Sequence, residues 1–172
     1  LDFVLPQFGP DLIKAYRKKV GFLAAAESEV DLRNYKALHF EKLSGGRAGQ
    51  HSIRLNQQWR LILRIESDAQ GRLLIIIEIV DYHWGRRFEL MTMTYSTAEV
   101  FAPGEYLRDE LDERGWTVTE FAEIIGRPVQ AVSEILNGKK EITTETALAL
   151  SEALGPSPAL WLNLQTNYRL FE

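Results

Sequence analysis

Three arginines, Arg54, Arg60 and Arg64, fall at even spacings along HSIRLNQQWRLILRIE, and Asp81-Tyr82-His83 follows an apolar run further on. These residue types suit one chemistry. Guanidinium groups carry a pH-independent charge in a fork that matches phosphate oxygens, and an imidazole exchanges a proton near neutral pH. RNA can be cleaved without a metal if its 2′-hydroxyl is activated, the phosphorane charge neutralised and the leaving oxygen protonated. Arg54 and Arg60, flanked by Lys42 and Arg47, would hold the phosphate. His83 would act as acid or base, Tyr82 would stack or move a proton, and Asp81 would orient its neighbours. A plainer reading makes Arg54 and Arg64 the decoration of a solvated strand face, with Trp59 in the core. Three dispersed histidines and no cysteine give no zinc site. His39 and His51 read as surface or satisfied side chains, and no metal or cofactor is called for.

A second group of residues suits DNA. Gln130 and Ser133 stand where a helix would present them outward, and Gln can pair with the N6/N7 edge of adenine. Thr117, Thr119, Arg127, Lys139 and Lys140 surround them and would grip phosphates, which fix register rather than sequence.

The elements that must position these groups follow from periodicity. From Pro10, Leu12, Ile13, Tyr16, Val20 and Leu23 recur at helical spacing, and Ser28 to Ala37 reads as a second, shorter helix or an irregular segment. Gly45, Gly46 and Gly49 mark a loop. Three strand patterns then run over 50–56, 59–66 and 72–80, with Arg60 and Arg64 alternating against Leu61, Leu63 and Ile65. Asn56-Gln57-Gln58 is the length of a hairpin loop. Helices followed by a meander predict an α+β unit. Residues 84–102 show neither period and read as a linker, within which Phe88 to Met93 could form a short strand.

Beyond Pro103 five helices are expected. Gly115 stops the first, Thr117 with Glu120 opens the second as a capping box, and Pro128 opens the third. Asn137-Gly138 ends the third, Thr143 or Thr144 caps the fourth, and Ser157-Pro158 begins the fifth. The second and third, joined at Gly126, have the layout of a helix-turn-helix. The expected domains are therefore 1–83, a linker at 84–102, and 103–172.

A chain of 172 residues can form one domain or two small ones. The 45% hydrophobic and 26% charged content is ordinary for a globular protein. The absence of cysteine excludes disulfides and thiol nucleophiles and fits a reducing cytoplasm. The apolar run at Leu73 to Ile77 is too short to span a membrane. Residues 1–90 carry 14 Lys and Arg against 11 Asp and Glu, whereas residues 91–172 carry 6 against 13. Halves of opposite sign would attract and orient each other.

The stretch from Pro103 onward resembles the HigA antitoxins of the Cro/C1 helix-turn-helix superfamily, through PGEYLRDELDERG, SEILNGKKEITTETALALSEALG and SPALWLNLQTNY. The resemblance implies a homodimer that binds its own operator DNA and neutralises a toxin. Residues 10 to 83 resemble the HigB toxins of the RelE/ParE superfamily, through HFEKLSGGRAGQHSIRLNQQWRL and EIVDYH. That implies an endoribonuclease acting on mRNA in the ribosome, with Arg60 stabilising the phosphate and Asp81, Tyr82 and His83 as the terminal cluster. Some members carry a lysine just before the turn where this chain has Ser44, with Lys42 two residues earlier. The expectation is a toxin and its antitoxin on one polypeptide, the nuclease inhibited or degenerate in the intact chain. The alternative is a transcriptional regulator whose N-terminal half is an inert scaffold.

Overall fold

The structure is a computed structural model that describes residues 9–67, 73–81, 87–89 and 100–171, with β4 and β5 described by their backbone. Two compact units form, one drawn from residues 1–23 and 38–99, the other from 24–37 and 100–172.

The first unit is α+β, as its pattern predicts. Helix α1 (Pro10–Ala25) begins at the proline, where a missing N–H costs nothing. Strands β1 (Glu41–Lys42), β2 (His51–Arg54), β3 (Trp59–Ser67), β4 (Leu73–Asp81) and β5 (Arg87–Glu89) make an antiparallel meander in sequence order. The β2–β3 turn closes on Asn56, whose side-chain oxygen accepts the N–H groups of Gln58 and Trp59 at 2.9 and 2.8 Å. Short Asn side chains commonly hold turns in this way. Ile53, Leu61 and Leu63 are fully buried, as are Phe22 and Leu38. Strand β5 lies inside the stretch expected to be a linker.

The second unit contains the five expected helices: α3 (Pro103–Arg114), α4 (Val118–Ile124), α5 (Val129–Leu136), α6 (Thr144–Leu154) and α7 (Pro158–Phe171). Gly115 ends α3 in the left-handed region at φ 67°, a conformation that costs glycine little. Gly126, at φ 61°, makes the tight turn between α4 and α5. Helix α3 packs on α5 and α7, α4 on α5, and α6 on α7. Leu107, Phe121, Val132, Leu150, Leu160 and Trp161 lie at the core, each with no exposed surface. Gly104 is the point of closest approach between α3 and α5, since a Cβ there would sit 2.1 Å from the carbonyl oxygen of Ile135.

This unit also holds helix α2 (Glu29–Asn34), capped by Ser28, and Lys36 and Ala37, the first two residues of the 3₁₀ turn Lys36–Leu38 that follows. The sequence assigns this stretch to the N-terminal domain; the fold builds residues 24–37 into the helical one. Among the described residues no helix is long and apolar enough to cross a membrane.

Candidate functional site

Two surfaces gather the residues singled out by sequence. On the sheet, antiparallel pairing puts Arg54 directly across from Arg60, and Ser52 between Glu41 on one side and Ile62 on the other. Directly paired residues project from the same side of a sheet. Glu41, Ser52, Arg54 and Arg60 therefore share one face, while Lys42 pairs with His51 on the opposite side of the pleat.

Arg60 is held in place. One guanidinium nitrogen, Nη1, donates to Ser52 Oγ at 2.9 Å and to Glu41 Oε2 at 3.0 Å. Its side chain is 17% exposed, that of Glu41 56%. Arg54 is exposed, and its Nη1 lies 3.4 Å from Nε2 of His39. His39 itself adopts φ 48°, an uncommon conformation for a residue with a Cβ. Two arginines paired across strands repel each other, and an anion on that face relieves the repulsion. Glu41 supplies one such charge. Its position was hidden in the sequence because β1 is two residues long and has no period to read.

Arg64, further along β3, lies 3.9 Å from Glu66. His51 is buried and stacked on Phe40 with ring centroids 4.7 Å apart, so it is a packing histidine. Asp81 is the register partner of Trp59, and Val80 that of Arg60. Tyr82 and His83 lie outside the described residues.

The helix-turn-helix places the second group. Thr117 is committed to the capping box: its hydroxyl accepts the N–H of Glu120 at 3.2 Å and donates to Glu120 Oε2 at 2.7 Å. The Thr117 backbone N–H, and then its hydroxyl, hold the Glu120 carboxyl below its ordinary range. Thr119 is exposed on α4. At the start of α5, Val129 and Gln130 are exposed, and Gln130 Nε2 donates to Glu134 Oε1 at 3.0 Å. Ser133, half-buried, gives its carbonyl to the side-chain amide of Asn137 at 2.8 Å. Arg127 forms a 3.6 Å ion pair with Glu145. Lys139 and Lys140 are exposed just past α5, their N–H groups bonded to the carbonyl of Glu134 at 2.8 and 3.2 Å. Gln130, Ser133, Arg127, Lys139 and Lys140 are thus all carried on α5 or its flanking turns. Glu134 and Glu145, whose carboxylates hold Gln130 and Arg127, were not singled out from the sequence.

Comparison with known proteins matches both parts. The model for the RelE-like toxin of the type II toxin-antitoxin system HigB matches residues 6–83, and the helix-turn-helix model matches residues 107–162. Over 70 residues the chain is 39% identical to an Escherichia coli K12 protein described as an uncharacterized HTH-type transcriptional regulator, YddM; this covers 41% of the chain and 74% of that protein. It is 41% identical over 69 residues to virulence-associated protein A′ of Dichelobacter nodosus, covering 40% of the chain and 60% of that protein. A solved addiction module antidote protein of the HigA family from Coxiella burnetii shows 38% identity, covers 41% of this chain and 77% of its own, and superposes with a TM-score of 0.40. The chain belongs to the helix-turn-helix regulator family and carries a HigB-like, RelE-type toxin domain ahead of that motif on the same polypeptide.

Proposed function

We propose that this protein is a toxin and its antitoxin in one chain. The sheet unit is an endoribonuclease that acts on mRNA in the ribosome, and the helical unit is a HigA-like silencer that binds the operator of its own operon as a homodimer. The observation that supports the nuclease most directly is the Arg54–Arg60 pair, two cations opposed on one face with a carboxylate already resting on Arg60. A scissile phosphate is an anion of the kind that pair accepts. In this reading Arg60 and Arg54 hold the phosphate and Lys42 adds positive potential from the strand edge. Asp81, Tyr82 and His83 supply orientation, stacking and proton transfer. The chemistry draws on side chains alone, with no cofactor.

The helical unit is the part that meets DNA. Gln130 and Ser133 read bases, while Thr119, Arg127, Lys139 and Lys140 set the phosphate register; Thr117, its donors taken by Glu120, contributes by capping α4. Both activities place the protein in the cytoplasm.

The test is to induce the intact chain, and a chain ending at residue 99, in growing cells and to map mRNA 5′ ends. The shortened chain should arrest growth and generate new 5′ ends in translated messages, and its Arg60→Ala form should not. A circular dichroism spectrum confirms that the shortened chain is folded. Folded protein without cleavage would leave a transcriptional regulator with an inert RelE-like scaffold.

A further inference from the structure

Residues 24–37 fall within the stretch matched by the toxin family, yet they are part of the helical unit. The bonds that keep them there are polar and specific. Glu110 on α3 has no exposed surface, and its carboxylate accepts the backbone N–H of Lys36 at 3.1 Å and of Ala37 at 2.9 Å. Arg114, one turn on, donates to the same carboxylate at 2.8 Å and to the carbonyl of Leu154 at 2.7 Å. From the other side, buried Asp31 accepts the N–H of Ser157 at 2.6 Å, and the Tyr35 hydroxyl donates to the carbonyl of Tyr106 at 2.8 Å. The Asn34 amide reaches the carbonyl of Gly155, and Asn163 on α7 donates to the carbonyl of Ala25, both at 3.0 Å.

We propose that this face of the helical unit, made by α3, the α6–α7 turn and α7, is a toxin-docking surface. It is filled in cis by residues 24–37 and is able to take the matching segment of a HigB-like domain on another copy of the chain. The inference rests on the helical unit being the silencer and deepens that reading by naming where the silencer grips.

The physical case has three parts. A buried carboxylate is costly unless its oxygens are bonded. Without the segment, Glu110 would keep Arg114 but lose both N–H donors, so the empty surface favours a replacement of the same shape. Several of the contacts read the segment's main chain, at Ala25, Lys36 and Ala37. Recognition therefore demands a short helix followed by a 3₁₀ turn, with Asp31, Asn34 and Tyr35 as its side-chain requirements. Finally, Gly155 at φ 103° has Asn34 Cβ only 3.0 Å from where a Cβ of its own would stand, so the turn is shaped to admit this neighbour.

Covalent linkage keeps the cis segment at high effective concentration. A competitor then binds with an affinity reduced by the small fraction of open surface. That gives a test with the full-length chain and a fluorescent synthetic peptide of residues 24–38. Asp31→Ala with Tyr35→Phe loosens the cis segment without touching the surface, and should tighten peptide binding by about tenfold or more. Adding Glu110→Gln should abolish the gain. Equal binding by the wild-type and loosened chains, or a gain that survives Glu110→Gln, would overturn the proposal. Amide exchange across α5 checks that the helical unit stays folded; if it does not, Asn34→Ala alone carries the same comparison. No step requires nuclease activity. Peptide capture without mRNA cleavage by the shortened chain removes the nuclease reading alone, and cleavage without capture removes the docking surface alone.

Discussion

At the scale of single residues, Tyr35 links stability to pH. Burial, and then the nearby charges of Asp109 and Glu110 and the Tyr106 hydroxyl, hold its phenol well above the ordinary value of 10.0. The proton stays on, and the hydroxyl keeps its donation to the carbonyl of Tyr106. Because the folded value is raised, the stability that this group contributes is complete below 10.0. It is lost as the pH climbs through 10.0 towards the folded value, where the unfolded chain ionises first. Melting temperature followed from neutral to strongly alkaline pH should therefore fall above pH 10.0 in the wild type. Tyr35→Phe should make that fall shallower without removing it, since burial also raises Tyr16 to about 12. At neutral pH the same variant should cost about 0.5–1.5 kcal/mol, the net worth of one hydrogen bond, because the carbonyl of Tyr106 keeps its helical donor and loses only the hydroxyl. An alkaline limb of unchanged slope in the variant would show that Tyr35 ionises freely.

Among the elements, α3 sets the position of α5 through the contact at Gly104. A methyl group there would meet the backbone of α5, 2.1 Å from the carbonyl oxygen of Ile135 and 2.9 Å from Cα of Leu136, and backbone cannot rotate away as a side chain can. Gly104→Ala should destabilise the helical unit by about 1–3 kcal/mol, read as a lower urea midpoint at unchanged slope. Operator affinity should fall with it if α5 is displaced. Most of this architecture was legible in the sequence because its signals are local. The Thr117–Glu120 box, the glycines at 115, 126 and 138, and the prolines at 103, 128 and 158 each punctuate one helix within a few residues. The alternation of Arg60 and Arg64 against Leu61 and Leu63 likewise sorted β3 into two faces. What could not be read is what depends on partners distant in sequence. Glu41 resting on Arg60 needs the register of a two-residue strand, and β5 is shorter than two periods of alternation. Helix α2 is six residues long, and its membership of the helical unit is decided by Glu110 and Ser157, more than 70 residues away.

For the whole molecule, the balance of charge bears on the proposal that the helical unit binds DNA. Residues 91–172 carry 13 acidic groups against 6 basic ones, so the general field of that half opposes a polyanion. On the proposed reading, binding comes from the cations assigned to the phosphates, namely Arg127, Lys139 and Lys140, since Arg108 at the end of α5 is bonded to the carbonyl of Leu136. Each phosphate neutralised contributes about −0.9 to the slope of log affinity against log salt. A dimer using three cations per half-site should therefore show a slope of about −5, a modest value for an operator-binding protein. Arg127 is the group whose contribution can be tuned, because it is paired with Glu145 at 3.6 Å and, in the proposed DNA complex, would exchange that carboxylate for a phosphate. Glu145→Gln removes the competitor and one repelling charge while leaving every base-reading side chain in place. Fluorescence anisotropy with the upstream operator should show tighter binding at low salt and a steeper slope for Glu145→Gln. Arg127→Ala should flatten the slope by about one unit per half-site. If both variants keep the wild-type slope, the Arg127 side of α5 does not face the phosphates and the docking of this helix on DNA is different from the one inferred.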